Sequence, residues 1–350
     1  MTEPHVDEAL KARVDRELGR FVADEADRFA DLDAELEPVA AQLRAAVAHG
    51  KRLRAAFCYW GWRAAGQPDS DALVRASAAM ELVHAAAVVH DDLIDDSPLR
   101  HGRPTAHLAL RAVPHGRPRP KAAGRSLAML VGDLLMSMAG QLFTGSGLPA
   151  AYLSRARPLW GELARDLIAG ECLEILRTGA APDTTDSLQV VRYKTAKYTV
   201  EQPLLIGAAL AGGGPRLREA FRAYGVPLGE AFQLRDDLLG LFGDPARTGK
   251  ASLDDLRGRR PTVLLAETWR AADGAERAAL RRALAARNPG HAELNAVRGL
   301  MTRLGAPERV ERMIAARVEE AARSLEEVEL PGEAARALTG LAHAVTARGH

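Results

Sequence analysis

Apolar residues recur at intervals of three and four along most of the chain, which is the period of an amphipathic α-helix. Between residues 5 and 49 the apolar positions of this pattern are Val14, Leu18, Phe21, Val22, Leu32, Leu36 and Val39. The same period returns over residues 261 to 348, where it indicates packing helices and no chemistry. Alanine, leucine, arginine and glutamate dominate and runs of β-branched residues are few, so the pattern predicts an all-α fold.

The most apolar of the expected helices, over residues 71 to 96, ends in a cluster of carboxylates: Asp91, Asp92, Asp95 and Asp96. Residues i and i+4 share one face of a helix, so Asp91 and Asp95 point the same way. Because this much negative charge on an apolar helix is costly unless cations neutralise it, the cluster predicts a metal site. Carboxylate oxygens with room for water and phosphate suit Mg²⁺. The alternative is an acidic helix end that faces solvent.

A second carboxylate pair, Asp236 and Asp237, follows another apolar helical stretch at residues 223 to 234. Either pair alone could be a solvated helix end. Two such pairs, far apart in sequence and each at the end of an apolar helix, suggest two carboxylate sets that face one another across a cavity.

Basic residues stand at the start of a further expected helix, in the stretch His49-Gly50-Lys51-Arg52-Leu53-Arg54. Cations at a helix start oppose the helix dipole, which favours anions there. Their position is explained if a diphosphate binds nearby and contacts both the cations and the free backbone N–H groups of the first turn. A solvated basic turn is the alternative.

Composition narrows the class of protein. A hydrophobic fraction of 47% is ample for a large core, and no compositional break marks a linker between domains. The formal net charge of +1 argues against a nucleic-acid partner held by bulk charge. Cys58 and Cys172 lie in apolar helical stretches and are interpreted as reduced core residues. No apolar run approaches the length of a membrane span, so we expect a cytoplasmic protein without stable membrane insertion.

With these residues in place, the chain resembles the trans-isoprenyl diphosphate synthases of the polyprenyl synthetase family. The residues that carry the resemblance follow the family's order: Gly50-Lys51-Arg52-Leu53-Arg54, His84, the DDLID motif from Asp91 to Asp95, residues 99 to 104, Gly132-Asp133-Leu134, Lys194-Thr195, Phe232-Gln233, Asp236-Asp237 and Gly249-Lys250. They extend over most of the chain, so the resemblance is specific.

The resemblance implies a fold and a reaction. The fold would be one helical bundle around a central cavity, a single synthase domain over residues 1–350, with N-terminal helices at 1–49 and packing helices at 261–350, forming a homodimer. The reaction would condense isopentenyl diphosphate with allylic diphosphates to a linear trans-polyprenyl diphosphate. Mg²⁺ would be the cofactor, with about three ions present when diphosphate is bound.

The resemblance also implies roles for matching residues. The metal ligands would be Asp91, Asp92, Asp95, Asp236 and Asp237. Substrate binding would involve Lys51, Arg52, Arg54, His84, Arg100, His101, Lys194, Thr195, Gln233 and Lys250. The catalytic set would be Asp91, Asp92, Asp95, Arg100, Lys194 and Asp236. Lys51, Arg54 and His84 would hold isopentenyl diphosphate, with Arg52 in support, and the allylic diphosphate would contact Arg100, Lys194 and Lys250.

Four positions depart from the family pattern. His101 stands where a second arginine is usual, so the isopentenyl diphosphate site would bind less tightly. Glu171 and Glu174 replace the usual glutamine and aspartate, and Gly240 replaces a third aspartate of the second cluster.

The length of the product depends on the helix that precedes Asp91. At about 1.5 Å rise per residue, Ala86 and Ala87 lie roughly one turn before Asp91, Val83 two turns and Met80 three. Small Ala86 and Ala87 would admit a fifteen-carbon chain that Met80 or a facing helix stops deeper, which predicts geranylgeranyl diphosphate as product. On this assignment Ala86→Phe should shorten the product.

Other functions stay open. A class I terpene cyclase shares the DDxxD motif but needs no second diphosphate site and carries an Asn/Ser/Glu metal triad, which Asn288 and Asn295 do not match. A non-catalytic regulatory subunit would lack the aspartates that this chain keeps. A synthase giving farnesyl or longer-chain diphosphates differs only in product length.

Overall fold

The computed structural model describes residues 7–112, 119–243, 260–285 and 290–346. The first helices are α1 (Glu8–Ala30), α2 (Glu37–Val47), α3 (Leu53–Ala64), α4 (Asp71–Ile94), α5 (Ala106–Ala109), α6 (Pro120–Thr144), α7 (Ala150–Arg177) and α8 (Thr184–Val191). A π-helix follows at Arg192–Glu201, and then α9 (Gln202–Ala211), α10 (Pro215–Phe242), α11 (Val263–Ala271), α12 (Gly274–Ala285), α13 (His291–Arg303), α14 (Ala306–Glu326) and α15 (Gly332–Thr346).

Short 3₁₀ turns lie at Ala34–Leu36 and Leu110–Ala112. Strand structure in the described residues is limited to one antiparallel hairpin of Leu99–Arg100 and Arg103–Pro104, in which Arg100 pairs with Arg103. The all-α prediction is therefore confirmed.

The chain divides into two compact units. Of the described residues, the N-terminal unit comprises those from residue 7 to Pro158 together with Pro203–Gly213, and the C-terminal unit comprises Leu159–Gln202 and those from Gly214 onwards.

In the N-terminal unit, α4 packs against α6, α3 and α1. The side chain of Ser70 caps α4 by accepting a hydrogen bond from the Leu73 N–H at 3.1 Å. On α1 the fully buried positions come at every fourth residue: Leu10, Val14, Leu18, Val22 and Ala26. The expected apolar stripe is thus present, but Leu32 is 76% exposed because it lies in the turn after α1, so its assignment to that stripe was wrong.

Within the part of the chain that the structure describes, two helices are long and apolar enough to cross a membrane by length and composition, α4 and α6. The prediction that no apolar run approaches this length was therefore wrong. The most apolar window of α4 is 72% buried within the protein and that of α6 is 44% buried. Packing in the core accounts for the apolar character of α4.

In the C-terminal unit, α10 packs against α14 and the π-helix. The buried hydroxyl of Tyr224 donates to the carbonyl oxygen of Leu338 at 2.8 Å, which ties α10 to α15. Buried Glu230 on α10 accepts hydrogen bonds from Arg192 at 2.9 Å and from Arg317 at 2.7 Å. Its negative charge is thus neutralised by arginines of the π-helix and of α14.

Both cysteines are free thiols. Cys58 lies in the core, where burial raises the pKa of its thiol to about 12. Cys172 is exposed, so its assignment to the core was wrong. It sits on α7, where the nearby apolar residues Ile168, Ile175 and Leu176 are exposed as well.

Candidate functional site

The carboxyl end of α4 is held against the hairpin by an ion pair. Arg100 Nη2 lies 2.5 Å from Asp92 Oδ1, and its Nε donates to the same oxygen at 3.1 Å. The same guanidinium lies 3.6 Å from Asp91. His101 and Gly102, at φ 51° and 74°, form a tight left-handed turn that folds Arg100 back towards α4. Burial raises the pKa of Asp92, although Arg100 acts in the opposite direction.

Asp96 differs from the other three aspartates of this cluster. It has left-handed backbone (φ 53°) just beyond the end of α4. Its carboxylate lies 3.0 Å from Arg125, 3.4 Å from His107 and 3.6 Å from Lys121. Asp96 therefore links α4 to α5 and α6, which leaves Asp91, Asp92 and Asp95 as the candidate metal ligands of this unit.

His84 lies about two helical turns before Asp91 on α4. Burial lowers the pKa of His84 well below its usual value, and the charges of Arg54, Arg100, Arg52 and His101 lower it further. The imidazole is thus neutral among cations. A concentration of positive charge of this kind favours an anionic ligand.

The basic residues of the turn before α3 differ in their exposure, although the sequence analysis treated them as one group. Lys51 is exposed and Arg54 is 6% exposed. Arg52 is also buried, and its guanidinium donates to Asp15 Oδ1 at 2.6 Å, to Val47 O at 2.6 Å and to His49 O at 3.0 Å. Its donors are thus engaged inside the protein, which restricts Arg52 to an indirect role.

The backbone N–H groups at the start of α3 are also partly occupied. The buried carboxylate of Glu81, on α4, accepts from the Ala55 N–H at 3.0 Å. An acidic group at a helix start is favoured by the helix dipole. One of the N–H groups in the first turn is therefore not free for a diphosphate, and Glu81 is a residue that the sequence reasoning missed.

In the C-terminal unit, Lys194 and Thr195 lie on the π-helix, a rare conformation often found at functional sites. Lys194 Nζ lies 3.0 Å from Glu171 Oε2 and also contacts Glu174. A Cβ on Gly170 would collide with the backbone of Lys194, so glycine is what lets α7 approach this closely. The two glutamates that depart from the family pattern therefore contact one predicted diphosphate ligand.

A second set of contacts in this unit joins the π-helix to α10. The Thr195 hydroxyl donates to Gln233 Oε1 at 2.9 Å, and Gln233 Nε2 donates to Asp237 Oδ1 at 2.8 Å. Asp236 directly precedes Asp237 on α10 and is also partly accessible. Hydrogen bonds thus join three predicted site residues of this unit, Thr195, Gln233 and Asp237.

Lys197, one turn further along the π-helix, belongs to an internal ion network. Its Nζ lies 2.6 Å from Asp166 on α7 and 3.7 Å from Glu201. Burial raises the pKa of Glu201 despite the nearby Lys197 charge. The i,i+4 spacing of Lys197 and Glu201 was the available sequence signal for this network.

Other predicted residues divide by their exposure. Met80, Val83 and Ala86 are almost completely buried, whereas Ala87 is partly accessible. His90 lies against Gly132, where a Cβ would collide with its ring, so its assignment to packing agrees with the structure. Lys250 lies outside the described residues.

Known proteins are similar to this chain over most of its length. A sequence profile of the family described as polyprenyl synthetase matches residues 37–301. A (2E,6E)-farnesyl diphosphate synthase of Mycobacterium tuberculosis is 35% identical over 228 residues, 64% of this chain and 58% of the relative. An all-trans-nonaprenyl-diphosphate synthase (geranyl-diphosphate specific) of Rhodobacter capsulatus is 30% identical over 281 residues, 80% of this chain and 79% of the relative.

Among solved structures, a geranylgeranyl pyrophosphate synthase of Corynebacterium glutamicum, complexed with isoprenyl diphosphate and magnesium, superposes with a TM-score of 0.93. It is 34% identical, and the match covers 98% of this chain and 99% of that one. The present chain spans only 58% of the length of the farnesyl diphosphate synthase that it matches. The profile match over residues 37–301 and the nonaprenyl relative establish that this chain belongs to the polyprenyl synthetase family.

Proposed function

We propose that this chain is a trans-prenyltransferase that condenses isopentenyl diphosphate with allylic diphosphates to a linear trans-polyprenyl diphosphate. The observation that carries the proposal is the arrangement along α4. Neutral His84 lies among the cations Arg54 and Arg100, and Asp91 and Asp92 follow about two turns later on the same helix. Cations for a diphosphate and carboxylates for its metal ion are what this chemistry requires.

The carboxylates fit a divalent cation by their chemistry, since they offer hard oxygen ligands on two elements. In our proposal Asp91, Asp92 and Asp95 would hold Mg²⁺ from α4, and Asp236 and Asp237 would do so from α10, with about three ions in the complete site. When bound, Mg²⁺ would neutralise charge on the departing diphosphate.

The basic residues divide between the two substrates in this proposal. Lys51, Arg54 and His84 would hold isopentenyl diphosphate, with His101 at its edge and Arg52 acting by fixing the turn. The allylic diphosphate would contact the following residues: Arg100, Lys194, Thr195 and Lys250. Arg100 and Lys194 would stabilise the developing negative charge of the leaving group, and Gln233 would orient Thr195.

The reaction would also require that the two substrates are positioned for attack and that water is excluded. The allylic cation must form away from water, so apolar walls are needed around the reacting carbon atoms. The double bond of isopentenyl diphosphate attacks that cation, and the proton then lost passes to the released diphosphate. The chain needs no protein nucleophile for any of these steps.

We further propose geranylgeranyl diphosphate as the product, because small Ala87 and more distant Met80 follow the same side of α4 as Asp91. Relatives of this chain are named for both shorter and longer products, so identity alone does not choose among them. Val83 and Ala86 would shape the pocket from within the helix packing.

The assembly is proposed to be a cytoplasmic homodimer, with residues 1–350 of each copy as a single synthase domain. Support for a second copy comes from α6, which leaves Met129 47% and Leu130 54% exposed on an apolar helix. Light scattering on the purified protein tests this, and a monomer at micromolar concentration would contradict it.

The test of the function is incubation of the purified protein with Mg²⁺, isopentenyl diphosphate and each allylic diphosphate in turn, with products separated by chain length. We expect linear geranylgeranyl diphosphate. Hydrocarbon or alcohol formed from an allylic diphosphate alone would instead identify a terpene cyclase. No product in any mixture would overturn the assignment to an active synthase.

A further inference from the structure

We propose that Asp15, on the N-terminal helix α1, is a positioning residue for the isopentenyl diphosphate site. It acts through Arg52, which fixes the turn that carries Lys51 and leads to Arg54. The inference rests on the proposed function, because the role of Lys51 and Arg54 does. Asp15 lies outside the residues that match the family profile, which begin at residue 37.

Arg52 connects α2 and α3, because its side chain contacts the end of α2 and its backbone carbonyl starts α3. Its backbone carbonyl accepts from the Ala56 N–H at 3.0 Å and so begins α3. Its guanidinium turns back to the end of α2, where it donates to the carbonyl oxygens of Val47 and His49. Carbonyl groups at a helix end lack partners within the helix, and a cation there also matches the helix dipole.

The backbone must adopt an unusual conformation to make this possible. Arg52 has left-handed backbone at φ 55°, which is unfavourable for a residue with a long side chain. Gly50 has φ 148°, and a Cβ there would lie 2.7 Å from Arg52 Nη1. The guanidinium therefore lies over Gly50, in space that a side chain at residue 50 would occupy.

Asp15 supplies the remaining contact. Its Oδ1 accepts from Arg52 Nε at 2.6 Å, and its Oδ2 accepts from Lys11 at 2.9 Å. The Arg52 side chain is only 7% exposed, so its charge needs a nearby carboxylate. Burial alone would raise the pKa of Asp15, but hydrogen bonds from Lys11 and Arg52 outweigh it and leave the pKa lowered. Asp15 is thus an anion at neutral pH.

Loss of Asp15 should therefore loosen the Arg52 turn and displace Lys51, with no direct effect on Lys194 or on the aspartates of α4. Asp15→Ala is expected to raise KM for isopentenyl diphosphate about tenfold, while kcat and KM for the allylic diphosphate change less than about twofold. Arg52→Lys keeps a cation beside Asp15 but cannot reach both carbonyl oxygens, and we expect the same selective rise.

The matched control is Lys11→Gln, which removes the other ion pair of Asp15 and leaves Arg52 in place. Its kinetic constants should equal those of the unaltered protein. An unchanged KM for isopentenyl diphosphate in Asp15→Ala, or an equal rise for both substrates, would overturn the inference.

Calorimetric titration with isopentenyl diphosphate separates this inference from the proposed function. If the unaltered protein binds the compound but forms no product, the proposed function fails, and weaker binding by Asp15→Ala still supports the positioning role. Equal binding by Asp15→Ala and the unaltered protein contradicts that role. An unaltered protein that does not bind the compound contradicts both.

Discussion

The hydroxyl of Thr195 donates to the side-chain oxygen of Gln233 at 2.9 Å, across 38 positions of sequence. The side-chain amide of Gln233 in turn donates a hydrogen bond to Asp237 Oδ1 at 2.8 Å. Two hydrogen bonds therefore join the π-helix to the aspartate pair of α10. A predicted diphosphate ligand and a predicted metal ligand thereby belong to one hydrogen-bond network. A substitution of Thr195 should therefore affect the position of Asp237.

Thr195→Val removes the hydroxyl and leaves the Gln233 oxygen without this donor. Because such a loss costs about 1–2 kcal/mol, we expect kcat/KM for the allylic diphosphate to fall roughly tenfold. Steady-state kinetics measure the effect. Thr195→Ser, which retains the hydroxyl, is the control, and an equal loss in both variants would show that the hydrogen bond is not the cause.

Ala87 and Ala86 are neighbours in sequence with different surroundings. Ala87 is partly accessible, whereas Ala86 is completely buried. Ala87→Phe should therefore shorten the product with little change in melting temperature. Ala86→Phe should overpack the core and destabilise the protein by about 1–3 kcal/mol. Product analysis and thermal unfolding distinguish the two, and a shorter product from Ala86→Phe alone would restore the assignment based on sequence.

Glu171 lies 3.0 Å from Lys194 and competes with any diphosphate for its charge. Glu171→Gln removes one of the two carboxylates and leaves Glu174 in contact. We expect KM for the allylic diphosphate to fall about threefold, because one carboxylate fewer then neutralises the positive charge of Lys194. Cys172→Ser, at the next and exposed position of α7, is the control. A rise in KM for Glu171→Gln would indicate that this glutamate helps to bind the substrate.

The hydrogen bonds and ion pairs of Glu267 should make the free energy of unfolding depend on pH. Burial would raise the pKa of Glu267, but hydrogen bonds from Arg270, Thr184 and Arg309 outweigh it and leave the pKa below its usual value. A carboxylate with a lowered pKa in the folded state stabilises the protein above its ordinary pKa, and this stabilisation is lost as the pH falls through the lowered value. The free energy of unfolding should therefore decline below about pH 5.

Glu267→Gln should lower the free energy of unfolding at pH 7 by about 2 kcal/mol and make its decline at acidic pH less steep. Urea unfolding at pH 7, 5 and 4 provides the measurement. Glu319→Gln is the control because that side chain is 71% exposed beside Arg323. Parallel pH profiles for Glu267→Gln and the unaltered protein would rule out Glu267 as the source.

Local pattern was sufficient for much of the architecture. Ser70 and Asp183 are of the residue types that favour helix starts, and both cap their helices. The i,i+4 spacing of Asp91 and Asp95 put them on one face of α4, because that relation follows from helix geometry alone. Asp96 could not be separated from them by spacing, since its left-handed backbone depends on contacts with α5 and α6.

By itself, the sequence determined the all-α fold, the family resemblance and the residue types that could bind diphosphate and metal, because periodicity and motifs are local properties of a chain. Only the tertiary structure decided what those side chains contact. Arg52 meets Asp15, and Lys194 meets Glu171, over separations that no local pattern encodes. A buried cation must find its partner wherever packing places a carboxylate, so such pairings are decided by the fold as a whole.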